Sequence, residues 1–268
     1  MKLPILIALT FVAALAQDNT LTSAEKQAGF KLLFDGHTMR GWRDPATEKP
    51  PGDSWVIENG CLATTSKPRI TEDLVTKDSY GNFELKFDWR ISPRGNTGVK
   101  YRIQGFVFMD MSKVDRSAGD FESTLERAFT TGRSDRAKLM PGSNGREYPI
   151  SYEFQLIDDA NEHMTDHIHD TGALYSMIPP RAVADHPVGQ WNQSRLVVNG
   201  DRFEHWINGV KVLDGLLHSD EALAGNAKRW ANAPTIRDLL NHAKPNGPIA
   251  LQHHGAAVWF KNLKIRTL

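Results

Sequence analysis

Between Phe83 and Arg90 the chain reads FELKFDWR, and apolar and charged side chains alternate without a break. Phe83, Leu85, Phe87 and Trp89 take one side, while Glu84, Lys86, Asp88 and Arg90 take the other. A period of two is that of an extended backbone, so the segment predicts a strand with one buried face and one wet face. Gly98 to Gln104 repeats the pattern, with Val99, Tyr101 and Ile103 opposite Lys100, Arg102 and Gln104. Residues 152–157 do so again, with Tyr152, Phe154 and Leu156 opposite Glu153 and Gln155. Further strands are expected at 54–58, 61–65, 194–199, 202–208, 210–213, 248–254 and 257–266, separated by turn pairs such as Asn59-Gly60, Asn199-Gly200 and Asn208-Gly209. Many short strands with Gly and Asn turns imply an all-β sandwich.

Three stretches depart from this pattern. Residues 20–29 predict a short helix capped by Thr22 or Ser23. Residues 105–149 form an insertion with a helix from Asp120 or Phe121 to about Thr130. Residues 219–245 form a second, in which Ser219 caps one helix and Thr235 another that ends near His242. Insertions of this length in a β domain often wall a binding site. The start, MKLPILIALTFVAALA, has one lysine, an apolar run and Ala14-Leu15-Ala16, so residues 1–16 read as a signal peptide. The run is too short for a spanning helix, so the expected product is exported, periplasmic or secreted, and not an integral membrane protein. The expected organisation is a segment at 17–28 followed by one domain at 29–268.

Cys61 is the only cysteine, so no intramolecular disulfide is available and stability must come from a core. Without residues 1–16, 31 Lys and Arg face 32 Asp and Glu, a net charge of −1. That balance argues against nucleic acid as a partner and suits a neutral carbohydrate.

Several stretches occur in a telling order: FKLLFDGHTMRGW (30–42), WVIENGCL (55–62), DSYGNFELKFDWRIS (78–92), GNTGVKYR (95–102), YEFQLIDD (152–159), TGALYSMIPP (171–180), WNQSRLVVNGDRFEHWINGVKV (191–212) and IALQHHGAAVWFKNLKIRTL (249–268). As an ordered set, they resemble the 3-keto-disaccharide hydrolase family. The resemblance implies a two-sheet antiparallel jelly-roll sandwich of concanavalin A-like type with short helical insertions. It also implies an enzyme that cleaves glycosides already oxidised to a ketone at sugar carbon 3. This family more often reads LQDHGD or LQDHGN where the chain has Leu251-Gln252-His253-His254-Gly255-Ala256.

A ketone at carbon 3 acidifies the proton on carbon 2. A base can then remove it while the glycosidic oxygen leaves carbon 1, and water adds to the enone. Such a site needs a base, donors for the enolate oxygen and an acid for the leaving group. Alternation groups Lys100 with Arg102, Glu153 with Gln155, and Gln252 with His254, each set opposite its strand's apolar residues. On the curved sheet of a jelly roll the three sets would converge. Glu153 is the candidate base or metal-directed carboxylate; a structural ion pair with Lys100 or Arg102 is the alternative. Lys100 and Arg102 are candidate enolate donors, and His254 is the candidate acid or second base.

Gln155, Gln252, Tyr175, Asn96 and Trp230 are candidate substrate contacts, Trp230 as a mobile one on the second insertion, although a turn role alone accounts for Asn96. Asp158, Asp159, His163 and Asp166 offer weak metal ligands, for calcium or a transition metal. A polar loop needs no metal, so this remains an open alternative. Two rival functions are also open: a non-catalytic lectin-like module on the same sandwich, and an ordinary glycosidase with paired carboxylates.

Overall fold

Apolar residues at alternate positions of β7 (Phe83–Ile91) face inward at the middle of one sheet, where Phe83, Leu85, Phe87 and Trp89 are each about 1% exposed or less. A computed structural model describes residues 17–47, 49–50, 52–66, 68, 70–110, 120–131, 145–159 and 167–268. In the first sheet, β7 is flanked by β10 (Asn192–Asn199) and β14 (Val258–Thr267). β11 (Arg202–Ile207) and β12 (Val210–Leu216) continue beyond β10; β4 (Cys61–Thr64) and β3 (Trp55–Glu58) continue beyond β14, which also pairs with β1 (Lys31–Leu32). The second sheet runs β2 (Trp42–Arg43), β6 (Leu74–Thr76), β13 (Ala250–Leu251), β8 (Asn96–Asp110), β9 (Gly145–Ile157) and β5 (Ile70–Thr71). Pairing is antiparallel except between β5 and β9. The result is a two-sheet jelly-roll sandwich, as the alternation and the resemblance predict.

Several expected boundaries move. β8 and β9 run on past the alternating segments into a long two-stranded arm, so the region expected to be an insertion from residue 105 starts and ends as strand. Conversely, the strand expected over 248–254 shrinks to Ala250–Leu251. Helix α1 (Ser23–Gln27) starts at a capping box, in which the Thr22 hydroxyl and the Glu25 carboxylate each bond the other's backbone N–H. Helix α2 (Asp120–Thr131) lies where the sequence suggests one. Ser219 caps α3 (Asp220–Arg229) through the N–H of Ala222.

Helix α4 (Pro234–Asn241) is a correction: Thr235 lies within its first turn, and Ala233 at the cap makes no side-chain bond. Its N-terminal N–H groups at Thr235 and Ile236 bond instead to the Glu126 carboxylate of α2, at 2.9 and 3.1 Å. A carboxylate there satisfies donors the helix cannot and complements its dipole. No helix among the described residues is long and apolar enough to cross a membrane.

One polar link crosses the core. His205 of β11 is fully buried and stacks on Phe154 of β9, with ring centroids 4.0 Å apart and planes within 3°. Its Nδ1 lies 2.9 Å from the Gly172 carbonyl and its Nε2 lies 3.2 Å from the Tyr101 hydroxyl. A carbonyl can only accept, so Nδ1 carries the proton and Nε2 accepts from Tyr101. Burial outweighs the Gly172 bond and pushes the imidazole pKa down to about 3. The ring is therefore neutral in the fold. The unfolded chain binds the proton more readily below its ordinary value of 6.5, so this contribution is full above that pH and declines as pH falls towards 3. Replacing His205 by Gln strands one of the two partners and is expected to cost about 2–4 kcal/mol in urea denaturation at pH 7.5. The variant should also lose less stability than wild type between pH 6.5 and 4, and equal slopes would show that His205 does not titrate as described.

Candidate active site

The register of β8 with β9 sets Lys100 opposite Glu153 and Gly98 opposite Gln155. On its other edge β8 meets β13, with Ala250 opposite Lys100, and the chain then continues to Gln252, whose N–H donates to the Gly98 carbonyl. Because alternation is unbroken here, Val99, Tyr101, Phe154 and Leu251 point into the core. Lys100, Glu153, Gln155 and Gln252 lie on the opposite face, yet each is at most 6% exposed. Gly98 makes room for them: a Cβ there would collide with the Glu153 carboxylate, which lies across the strand at that point.

Lys100 is committed to a partner. Its ammonium sits 2.8 Å from Asp73 Oδ2, with both side chains no more than 2% exposed. Asp73 Oδ1 also accepts the N–H of His253, at 3.1 Å. A buried ion pair with a further hydrogen bond is internally satisfied. Glu153 differs, because its Oε1 is buried and has no hydrogen-bond partner. Burial raises its pKa above the usual carboxylate range; Lys100 opposes the shift, Asp73 adds to it, and Arg229 and Arg146 oppose it. Gln155 Oε1 and Gln252 Oε1 are likewise buried and unpartnered. Gln155 Nε2 reaches Asn96 Oδ1 at 3.5 Å, so Asn96 belongs to the same patch. Buried acceptors are almost always paired. Three such acceptors therefore gather on one face, able to take hydrogen bonds from hydroxyl groups or water.

A wall runs beside this floor. Residues 171–178 track β9 along the part of its edge that β5 does not cover, where the Tyr175 N–H donates to the Glu153 carbonyl at 3.0 Å and Leu174 bridges Phe154. The Tyr175 ring lies under the Arg229 guanidinium (4.8 Å) and edge-on to His169 (5.0 Å). Arg229 ends α3 and donates to Ser176 Oγ at 3.1 Å and to the Tyr148 hydroxyl at 2.9 Å. Ser176 Oγ also lies 3.1 Å from His169 Nε2. Helix α3 can come this close because Gly225 meets the Met177 backbone, where a Cβ would stand 2.7 Å away.

Other expected residues lie elsewhere. Arg102 falls in a bulge between Tyr101 and Gly105, with a positive φ of 54°, and its guanidinium donates to the Gly200 carbonyl at 2.6 Å. The bulge breaks alternation, so Arg102 does not share Lys100's surroundings. His254 is solvent-exposed, beyond the end of β13 at Leu251. The buried histidine is its neighbour His253, with Nε2 3.1 Å from the Thr65 carbonyl. Trp230 is no mobile contact: it is 1% exposed and packs edge-on to Tyr148 in the core.

Asp158 accepts the Arg94 N–H and Asp159 the Thr171 N–H, at 2.8 and 2.9 Å. Burial pushes the Asp159 carboxyl up to about 7; the Thr171 bond opposes this, while Asp170, Asp185 and Asp158 add to it. Among the described residues, no group of three or more His, Cys, Asp or Glu is arranged to hold a metal ion. His163 and Asp166 lie outside the described residues. Two residues of the site escaped the sequence reading. Asp73 lies in a short inter-strand link and Arg229 at a helix end, where a cation is commonplace.

The model of one family, the 3-keto-alpha-glucoside-1,2-lyase-like domain, matches residues 29–266. The chain is 26% identical over 259 residues to a 3-keto-disaccharide hydrolase of Bacteroides thetaiotaomicron, covering 90% of this chain and 79% of that protein. It also superposes on a crystal structure of a glycosyl hydrolase candidate from Parabacteroides distasonis with a TM-score of 0.67. Identity there is 26%, over 94% of this chain and all of the other. A second structure from that organism, 20% identical with a TM-score of 0.57 over 89% of this chain and 99% of the other, shares the fold. The chain is a hydrolytic enzyme and belongs to the 3-keto-alpha-glucoside-1,2-lyase-like family.

Proposed function

We propose that this enzyme is exported and cleaves 3-keto-glycosides, with Glu153 as the base that removes the proton on carbon 2. The observation that carries this reading is the Glu153 carboxylate itself, buried, raised in pKa and with one oxygen lacking any protein partner. A carboxylate whose pKa lies nearer to neutral is a stronger base once ionised, and the unpartnered oxygen leaves a lone pair for the substrate proton. As the C2–H bond breaks, its electron pair forms a C2=C3 bond and the ketone oxygen becomes an enolate. The pair then returns: the ketone re-forms, a C1=C2 bond forms, and the C1–O bond breaks with its electrons going to the leaving oxygen, which takes up the proton held by Glu153. Water adds its oxygen to carbon 1 and a proton to carbon 2, giving net hydrolysis.

Gln155 and Gln252 supply acceptors for sugar hydroxyls, and Asn96 steadies Gln155. An ordinary glycosidase would need a second carboxylate free to act on the same bond. Asp73, the neighbouring carboxylate, is bound instead to Lys100 and to the His253 N–H. Export rests on the leader-like residues 1–16.

Incubation with trehalose and with its 3-keto counterpart tests the reading, and only the ketone should yield 3-keto-glucose. Binding of either sugar with no cleavage would favour a lectin-like role. Glu153→Gln should lower turnover at least roughly a hundredfold with the melting temperature kept, and near-normal turnover would remove Glu153 from the chemistry. A base must be ionised to act, and Glu153 ionises above the ordinary value of 4.5. Activity (kcat/KM) should therefore fall with decreasing pH along a limb lying above that value; full activity at pH 4 would contradict this. Gly98→Ala, which pushes the carboxylate aside, should lose roughly tenfold or more in kcat while circular dichroism stays unchanged.

A further inference from the structure

The proposed reaction places a negative charge on the oxygen of carbon 3, and the two cations expected to meet it are engaged elsewhere. Lys100 is held by Asp73, and Arg102 by the Gly200 carbonyl beyond the bulge. From the geometry we infer that Arg229, at the end of α3, is the donor that stabilises this enolate. The inference rests on the proposed function.

Three features of Arg229 support it. First, its two hydrogen bonds go to neutral hydroxyls, on Ser176 and Tyr148, and the carboxylate of Glu122 acts on it through space only, with no hydrogen bond between them. Two of the five N–H donors of a guanidinium are used, and three remain. Second, its orientation is fixed in advance. The guanidinium lies over the rings of both Tyr175 and Trp230, each at 4.8 Å, and Gly225 lets α3 seat closely on Met177. A donor already in place needs no reorganisation when the charge appears. Third, it acts on the same pocket as the base: it pulls down the Glu153 carboxyl, and its stacking partner Tyr175 pairs by backbone with Glu153. Arg229 is also partly exposed as a residue.

The local charge suits the role. Lys100, Arg146 and Arg229 lie around Glu153 and Asp73, and Glu122 lies beyond Arg229, so cations and carboxylates balance there when all six are charged. After Glu153 takes the C2 proton, the lost carboxylate charge reappears on the ketone oxygen. The pocket's net charge is thus unchanged, while the position of the anion has moved towards a fixed donor.

Four measurements on a 3-keto-glucoside test the inference: kcat, KM, exchange of the C2 proton with D2O by NMR, and melting temperature. Arg229→Ala is expected to lower kcat and C2 exchange together by roughly a hundred- to a thousandfold, as for loss of one oxyanion donor. Millimolar guanidinium should restore at least roughly tenfold of it, which a merely structural role would not allow. Arg229→Lys keeps the charge without the fork and should fall between the two. Wild-type kcat in Arg229→Ala, or a loss that guanidinium leaves untouched, overturns the inference. If Arg229→Ala does not fold, Arg229→Lys decides: unchanged kcat overturns it, and a tenfold or greater loss at constant KM sustains it. Failure of wild type to cleave the ketone would instead reject the proposed function and this inference with it.

Discussion

Charge burial on one sheet face is the constraint around which the site is built. An ammonium removed from water must be met by a carboxylate and further donors or acceptors, or it destabilises the fold by several kcal/mol. Lys100 and Asp73 meet that requirement for each other, and His253 completes the carboxylate's coordination through its backbone. Once that pair is closed, Glu153 is the odd charge on the face. Its burial beside a satisfied pair explains both its raised pKa and its unpartnered oxygen. A fold that needed only a structural salt bridge here would not need the glycine at position 98 to admit a second carboxylate.

The wall is held from behind by an equally specific arrangement. Gly172 is bonded to His205 on the opposite sheet, and two residues on, Leu174 bridges Phe154, the residue on which His205 stacks. Tyr175 therefore sits at the end of a chain of contacts passing through the sandwich core. Its backbone is fixed beside Glu153 by its own N–H bond to that residue's carbonyl and by the adjoining Leu174 bridge.

Where the chain alternates cleanly and pairs continuously, residue order alone places side chains. Glu153, Gln155, Lys100 and Gln252 end on the same face for that reason. Arg102 does not, because a bulge shifts the phase, and the only local hint is Gly105 inside an otherwise regular strand. His254 keeps the parity of Gln252 but lies past the last backbone bond to β8, at Gln252, and is exposed rather than set into the floor. Asp73 and Arg229 could not be read at all. Each reaches the site through tertiary packing, Asp73 across the sheet to Lys100 and Arg229 through a helix seated by Gly225. At position 253, where the family more often has an acid, the buried His253 ring contacts Trp55 and the Thr65 carbonyl, and its backbone N–H serves Asp73.

The carboxylate of Glu126 reaches out of α2 to the first N–H groups of α4, and Asn226 of α3 bonds the Arg237 carbonyl and the Asn241 side chain of α4. The three helices are therefore expected to open together in hydrogen exchange, rather than one by one. Loosening α2, about a hundred residues earlier in the chain, would be felt at the residue that closes α3. Helices α2, α3 and α4 are thus tied in series, through Glu126 and then through Asn226.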